Sequence, residues 1–198
     1  MTSNGRKLPR HYDDPIDSIL VDFVEILNPY FKSMNFTPNG ITTLSTMFGL
    51  AAVYVYTKHK YVTCAVFWTI GYFFDCMDGN YARTYSMSSK YGDIYDHVSD
   101  TIVNVSLLIA VIMNRSITTL FKILGISSLL LFFVIMTFYF ACQEQYLGKH
   151  RAHLTSDTIG MVPAKCTSVK NLSWLRFFGS GMFNLCVVIL LLCHRVRW

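Results

Sequence analysis

A group of four aspartates is the part of this sequence whose residue types and spacing best suit chemistry. Asp75 and Asp78 are three residues apart, and Asp96 and Asp100 are four apart, so each pair lies on one face of a helix. Acids next to apolar segments are costly and are rare without a function. Four converging carboxylates would repel one another unless cations lay between them, and all-oxygen ligands suit magnesium, manganese or calcium. The spacing therefore predicts a divalent-metal site between two helices.

Small residues and one arginine lie between the two acid pairs: Gly79, Ala82, Arg83 and Gly92. Gly79 leaves space beside the first pair, as close approach of a substrate would need. Gly92 shares a helical face with the second pair. Arg83 supplies a guanidinium that can bind phosphate while metal ions bridge phosphate to carboxylate. The set indicates a polyphosphate substrate held by one or two divalent ions, with a neighbouring base that activates an incoming hydroxyl.

Long apolar runs must position these acids. The chain has 198 residues, is 53% hydrophobic and 15% charged, and has a mean hydropathy of +0.37. A spanning helix needs about 20 mostly apolar residues. Five apolar runs each predict the main part of such a helix: Ile41–Thr57, Tyr61–Phe74, Thr101–Met113, Ile123–Cys142 and Phe177–Cys193. We therefore predict an all-α integral membrane protein with a bundle of five to six transmembrane helices over residues 35–198. The acids lie at the touching ends of the second and third spans.

The N-terminal part differs from this bundle. Residues 1–14 predict a polar tail, disordered as far as Arg10. Residues 15–34 predict an amphipathic helix lying in the membrane interface, since apolar side chains recur among acids at helical spacing. These side chains are Ile16, Ile19, Leu20, Phe23 and Leu27. A soluble helix packed on cytoplasmic loops is the alternative.

The start of the first predicted span carries a polar face. Thr37 is expected to cap the helix, with Pro38 at its first position. Asn39, Thr42 and Thr43 follow. Ordinary capping explains all three, but they become ligand contacts if this helix end faces the acids.

Charge and cysteine content limit the functional classes. The net charge of +5 is spread over the loops without a basic stripe, so we expect no nucleic-acid partner. The predicted loops on the side of the acids hold more basic residues than those opposite, and the positive-inside rule then places the acids at the cytoplasmic face. The six cysteines show no disulfide framework, and we expect them to be reduced.

These residues resemble the pattern of one enzyme family, the CDP-alcohol phosphotransferases (class-I CDP-alcohol phosphatidyltransferases). All eight positions of the family pattern are matched at the family's spacing, in the order Asp75-x2-Asp78-Gly79-x2-Ala82-Arg83-x8-Gly92-x3-Asp96-x3-Asp100. A Pro-Asn-x-x-Thr element, here Pro38 to Thr42, opens the first span in that family as well. The resemblance covers roughly residues 15–148.

The resemblance implies a reaction and a set of residue roles. An acceptor hydroxyl attacks the β-phosphate of a CDP-linked alcohol, forming a phosphodiester and releasing CMP. A dinuclear magnesium or manganese site is implied at Asp75, Asp78, Asp96 and Asp100, with Asp100 also as general base. Contacts to the CDP group are implied for Asn39, Thr42, Gly79, Ala82, Arg83 and Gly92. Members of the family are usually homodimers with six spans.

The identity of the alcohol depends on weaker signals. Asp96-His97-x-x-Asp100 resembles the form found in choline and ethanolamine phosphotransferases. Thr101 follows, where many phosphatidyl-transferring members have Lys or Arg. Glu144 opens a stretch similar to a Glu-Glu-Tyr-His-Thr-Gly segment of the choline and ethanolamine subgroup. We favour CDP-choline or CDP-ethanolamine as donor and the membrane lipid diacylglycerol as acceptor. The alternative is a CDP-diacylglycerol-dependent transferase acting on inositol, glycerol phosphate or serine.

Two further residues have open roles. His97 is a candidate catalytic residue that relays or accepts the proton of the acceptor, or else orients a neighbouring carboxylate. Glu144 is a candidate contact for the acceptor hydroxyl.

Two non-enzymatic readings also exist, an ion or metal transporter and an inactive homologue that acts as a scaffold. A transporter should carry acids deeper in other spans, and residues 101–142 hold none. An inactive homologue should have lost part of the acid set, and none is missing.

Overall fold

The computed structural model describes residues 5–150 and 171–194 and is helical throughout its regular parts, which confirms the all-α prediction. The elements in chain order are α1 (Pro15–Ser33), α2 (Pro38–Thr57), α3 (Tyr61–Thr84), α4 (Lys90–Met113), α5 (Thr119–His150), α6 (Leu172–Leu175), a 3₁₀ turn (Arg176–Phe178) and α7 (Ser180–Cys193). Helix α5 runs past its predicted end at Cys142. The fourth and fifth apolar runs are separated by residues 143–176, and residues 151–170 of this connection lie outside the described residues.

Four stretches of the described chain are helical, long and apolar enough to cross a membrane: Pro38–Thr57, Lys90–Met113, Thr119–Leu147 and Leu172–Cys193. They correspond to four of the five predicted spans and make the chain an integral membrane protein. Helix α3 is 24 residues long but is not among the four. Its second half carries Asp75, Asp78 and Arg83, which lower its apolarity.

Helix α2 is the centre of the bundle and packs against both α3 and α4. Small residues make this close packing possible. A Cβ at Gly49 would lie 2.6 Å from Val103 on α4, and a Cβ at Gly71 on α3 would lie 3.2 Å from the Gly49 backbone nitrogen. Ser45 Oγ also donates a hydrogen bond to the Gly71 carbonyl at 2.9 Å. Helix α2 thereby fixes the two acid-bearing helices relative to each other.

Side-chain caps fix the helix ends near the acids. Thr37 Oγ1 accepts a hydrogen bond from Gly40 N at 3.2 Å, with Pro38 in the first turn, as predicted from the sequence. Ser89 Oγ accepts from Gly92 N at 3.0 Å and caps α4. These caps define where α2 and α4 begin, and both beginnings lie at the end of the bundle that holds the acids.

Asp14 joins the two ends of the described chain. Its carboxylate caps α1 by accepting from Ile16 N at 2.8 Å, and it also accepts from Met182 N at 3.0 Å in the first turn of α7. Added Cβ atoms at Gly179 and Gly181 would lie 2.5 Å and 2.6 Å from Asp14 side-chain oxygens. Side chains at these two positions would therefore separate α1 from α7.

The N-terminal segment, Gly5–Asp14, packs on the bundle. Leu8 is fully buried, in a cluster that includes Tyr139, Cys142 and Leu172. Arg6 forms ion pairs with Asp22 and with Glu25, the latter at 3.1 Å. The prediction of disorder as far as Arg10 is therefore wrong from Gly5 onward, because one apolar side chain and one arginine find partners that lie far along the chain.

Helix α1 has two different faces. Its inner face buries Ser18, Val21, Val24 and Asn28 against the bundle. Its outer face carries a row of large apolar side chains at least half exposed, spaced four, three and four residues apart: Ile19, Phe23, Ile26 and Tyr30. Such a row suits a helix lying on a membrane surface. The interfacial position predicted for residues 15–34 remains a prediction.

The cysteines depart from expectation at one position. Cys64, Cys76, Cys186 and Cys193 are free thiols, whereas Cys142 is disulfide-bonded. The expectation of reduced cysteines is therefore wrong for Cys142, since sequence spacing does not reveal which cysteines meet in space.

Candidate active site

The four aspartates converge where the second half of α3 faces the first half of α4. Carboxylate oxygens of Asp75, Asp78 and Asp96 lie within 4.8 Å of one another. Asp100 is tied to the same group because its side chain is hydrogen-bonded to that of Asp75. The structure thus brings together all four predicted ligands, although they are far apart in sequence.

The donor set fits a hard divalent cation. Asp78 is 5% exposed, and Asp96 Oδ1 is buried without a hydrogen-bond partner among the described residues. A buried, unpartnered carboxylate oxygen is unfavourable unless a cation compensates it. Oxygens around one magnesium ion lie at most about 4.2 Å apart, so the 4.8 Å group needs only a small side-chain movement to close on an ion.

The first turn of α2 contacts both acid-bearing helices. Thr42 Oγ1 donates a hydrogen bond to Asp78 Oδ2 at 2.5 Å, and both side chains are buried. An added Cβ at Gly92 would lie 3.2 Å from Asn39 Oδ1, so these residues of α4 and α2 face each other closely. Thr42 is predicted to contact CDP, but in the structure its hydroxyl is hydrogen-bonded to the Asp78 carboxylate. Asn39 and Gly92 lie near the starts of α2 and α4, and neither is among the residues that line the cavities described below.

The remaining predicted contacts to CDP lie near the end of α3. Gly79 leaves room for the Arg83 guanidinium, since an added Cβ there would lie 3.2 Å from a guanidinium nitrogen. Arg83 is exposed, and its Nε donates a hydrogen bond to the carbonyl of Gly5 at 2.7 Å. Ala82 is half-buried beside it on the same helix.

A cavity of about 270 Å³, here called the acid pocket, joins these groups. Its lining includes the four aspartates, Gly79 and Arg83, together with residues from the N-terminal segment and α5. A cluster of carboxylates and a guanidinium thus border one cavity. That combination can hold the phosphates of a substrate and stabilise the charge that develops when a phosphate is transferred.

A second cavity, of about 880 Å³, adjoins the acid pocket and is here called the apolar cavity. The two share six lining residues, among them Asp75, His97 and Asp100. Most of the lining surface of the apolar cavity is nonpolar and comes from helices of the bundle, with Trp68, Phe133 and Phe183 among the lining residues. A lipid chain can therefore lie in the apolar cavity while its polar end reaches the acids.

His97 and Glu144 have different positions. His97 borders both cavities, and its Nδ1 is 3.9 Å from Asp96 Oδ2, too far for a hydrogen bond. The imidazole is 66% exposed. Glu144 Oε1 lies 3.9 Å from Lys7 Nζ, and its neighbour Gln143 lines the acid pocket. The catalytic role of His97 and the acceptor role of Glu144 remain predictions.

The sequence patterns missed several residues of the acid pocket, namely Arg6, Lys7, Asp13, Asp17 and Gln143. Asp17 accepts hydrogen bonds from Tyr72 Oη and, at 2.9 Å, from Ser180 Oγ. Burial raises the pKa of Asp17 to about 7 and that of Asp13 to about 6. Asp17 shares a helical face with Val21 and Val24, and an acid within an apolar stripe is the signal that could have marked it.

Comparison with known proteins agrees with this geometry. The family model described as CDP-alcohol phosphatidyltransferase matches residues 35–190. Archaetidylinositol phosphate synthase of Pyrococcus horikoshii is 25% identical over 91 residues, which are 46% of this chain and 48% of that protein. The match thus spans about half the length of this relative. No solved structure matches the chain. Since the family model covers most of the chain, including the four aspartates, the chain belongs to the CDP-alcohol phosphatidyltransferase family, whose members are transferases of phospholipid synthesis.

Proposed function

We propose that the chain transfers a phosphatidyl-type group from a CDP-linked lipid to a hydroxyl of an inositol-type acceptor, with release of CMP. The observation that carries the proposal is the cluster of acids at the junction of a polar and an apolar cavity. Archaetidylinositol phosphate synthase supports the alternative expectation, a CDP-diacylglycerol-dependent transferase, better than the favoured one.

The acids would hold two magnesium or manganese ions, which supply charge neutralisation at the phosphates when bound. The ligands would be Asp75, Asp78, Asp96 and Asp100. Asp100 also borders the apolar cavity and is the residue to accept the proton of the attacking hydroxyl. Arg83 would bind the pyrophosphate, with Gly79 leaving space for it. Asn39, Ala82 and Gly92 would border the nucleotide.

Thr42 and His97 would assist this chemistry by positioning other groups or, for His97, by relaying a proton. Thr42 keeps Asp78 oriented through its hydrogen bond, so that this carboxylate presents its other oxygen to the pocket. His97 would orient the acceptor or relay its proton, since the imidazole lies between the two cavities and is open to solvent.

A second candidate reaction uses CDP-choline or CDP-ethanolamine as donor and diacylglycerol as acceptor. Its supporting observation is the place of His97, which borders the apolar cavity next to Asp100. A lipid hydroxyl that entered through the apolar cavity would meet both side chains. Glu144 would then contact the acceptor from α5.

A substrate panel decides between the two reactions. Purified protein in detergent with Mn²⁺ would receive radiolabelled CDP-diacylglycerol with inositol phosphate, inositol, glycerol phosphate or serine. Parallel samples would receive CDP-choline or CDP-ethanolamine with diacylglycerol. Radiolabelled lipid from CDP-diacylglycerol and an inositol-type acceptor supports the proposal. Product from the second set alone would establish the second candidate, and product from neither would refute both.

The predicted orientation and assembly remain part of the proposal. The acid end of the bundle would face the cytoplasm, where the basic residues of its loops favour retention. The disulfide at Cys142 argues against this orientation, because disulfides are rare in reducing compartments. Labelling of a cysteine introduced at the exposed Ser88 with an impermeant maleimide, in sealed vesicles of known sidedness, decides the orientation. Crosslinking and mass photometry in detergent test the predicted homodimer.

A further inference from the structure

The N-terminal segment adds two cationic side chains, Arg6 and Lys7, to the lining of the acid pocket. Lys7 lines this pocket together with Arg83, although it lies 76 residues earlier in the sequence. Arg83 Nε donates to the carbonyl of Gly5, and Lys7 follows two residues later, so the Cα atoms of Gly5 and Lys7 are at most roughly 7 Å apart. The lining thus holds three cationic side chains, Arg6, Lys7 and Arg83, together with six carboxylates, and Arg6 is already paired with acids of α1.

Each neighbour of Lys7 is held in place. Gly5 has a φ of +70°, and an added Cβ would lie 2.7 Å from the backbone oxygen of Asn80 on α3, so only glycine fits there. The guanidinium of Arg6 is paired with acids of α1, and Leu8 is fully buried. The segment is thus anchored on three elements on either side of Lys7, which gives the Lys7 ammonium a defined position.

The side chain of Lys7 itself is only loosely engaged. Its side chain is 41% exposed, and its ion pair with Glu144 is 3.9 Å long. An ammonium has three donors, so this single long contact leaves capacity for an anion. Arg6 differs, because its guanidinium is 13% exposed and already paired. A weak surface ion pair is the other explanation for Lys7. It would account for the contact with Glu144, but not for the anchoring of the segment on both sides of Lys7.

We propose that Lys7 binds a phosphate group of a substrate beside Arg83, and that the N-terminal segment is therefore part of the active site. This inference rests on the proposed function for the identity of the substrates. The phosphate is either the monoester of a phosphorylated acceptor or the pyrophosphate of the CDP-linked donor. A phosphorylated inositol fits the position best, because Arg83 already serves the donor in the proposed arrangement.

The test compares Lys7→Met with Arg10→Met, a matched control. Both substitutions remove one cation from the same segment and keep an aliphatic side chain. Arg10 is 67% exposed, pairs with Asp22 and is not part of the pocket lining. KM values would be measured for CDP-diacylglycerol and inositol phosphate, and Lys7→Arg would be tested for rescue. Thermal unfolding would verify that the variants are folded.

We expect Lys7→Met to raise the KM for inositol phosphate about tenfold, as loss of one partly exposed charged hydrogen bond predicts. Its KM for CDP-diacylglycerol should change less than about twofold, and Arg10→Met should change neither. A rise in the donor KM alone would support the phosphate site and assign it to the pyrophosphate. Equal behaviour of Lys7→Met and Arg10→Met, or wild-type KM values in Lys7→Met, would overturn the proposal.

Calorimetry without turnover separates this inference from the proposed function. Inositol phosphate, inorganic phosphate and CDP-diacylglycerol would each be titrated into the wild-type protein and Lys7→Met in the presence of Mn²⁺. Binding that Lys7→Met weakens about tenfold supports the phosphate site even where the substrate panel yields no product. Equal binding to both proteins, or no binding of these probes and of CDP-diacylglycerol to the wild type, would overturn it.

Discussion

Replacement of Thr42 by valine tests whether α2 controls the proposed metal site through one hydrogen bond. Valine has nearly the same shape but cannot donate to Asp78. Thr42 is 4% exposed and Asp78 is 5% exposed, so water cannot replace the lost donor. The Asp78 oxygen that now accepts at 2.5 Å would be left buried and unpaired. Asp78 would then turn toward other donors, or hold a proton that competes with the metal ion.

The magnitude follows from the strength of the bond. A hydrogen bond to a charged group contributes about 1.5–3 kcal/mol, and each 1.4 kcal/mol corresponds to about a factor of ten in affinity. Burial removes the screening that would reduce this value. We therefore expect the apparent affinity for Mn²⁺ to fall roughly 10- to 100-fold, the range typical of residues that orient metal ligands.

The assay is transfer activity measured against free Mn²⁺ concentration, with saturating substrates. Thr46→Val is the control. It is the same substitution one helical turn later, and the Thr46 hydroxyl donates only to the Thr42 carbonyl of its own helix. Thr46→Val should keep the wild-type Mn²⁺ dependence. An unchanged Mn²⁺ dependence in Thr42→Val, with the protein folded, would refute the reasoning that this hydrogen bond orients a metal ligand.

Three other predictions concern the acids. Asp100→Asn should lower turnover at least about 100-fold, whereas Asp93→Asn, exposed on the same helix, should not; comparable rates in the two variants would remove Asp100 from the mechanism. EDTA should abolish transfer and added Mg²⁺ or Mn²⁺ should restore it, and activity that persists in EDTA would exclude the metal proposal. Burial raises the pKa of Asp17 to about 7 in the folded protein, well above that of an aspartate in the unfolded chain, so its contribution to stability is greatest at low pH and is lost as pH rises toward 7. The Tm of the wild type should therefore fall by about 5 °C more than that of Asp17→Asn between pH 5 and 7.5; parallel curves would contradict the shifted pKa.

The bundle was largely predictable because membrane-spanning helices are recognised by their long apolar composition. Apolar runs located α2, α4, α5 and the last span, and a threonine before a proline marked the start of α2. Helix α3 is the exception, since the acids that make it functional also reduce its apolarity. The packing of the segment around Leu8 was not predicted for another reason. A single apolar residue in a polar stretch forms no repeating hydrophobic pattern, so the sequence does not show that it is buried or against which residues.

The site was predictable in its residues but not in its contacts. Helical spacing placed Asp75 with Asp78 and Asp96 with Asp100, yet their approach depends on α2, which holds α3 and α4 together at Gly49. The hydrogen bond between Thr42 and Asp78 could not be inferred from a sequence that explains Thr42 equally well as a helix-start residue. The place of Lys7 in the pocket lining with Arg83 could not be predicted from the sequence, because it arises from long-range packing.

The double cap at Asp14 bears on how the protein is made. A membrane chain emerges from the ribosome in order, and α1 exists long before α7 does. Until Met182 arrives, the Asp14 carboxylate lacks one of its donors, Asp17 lacks Ser180, and the wall that α7 contributes to both cavities is missing. A nascent chain that lacks α7 therefore holds all four aspartates without a finished cavity, and we expect catalysis to require α7.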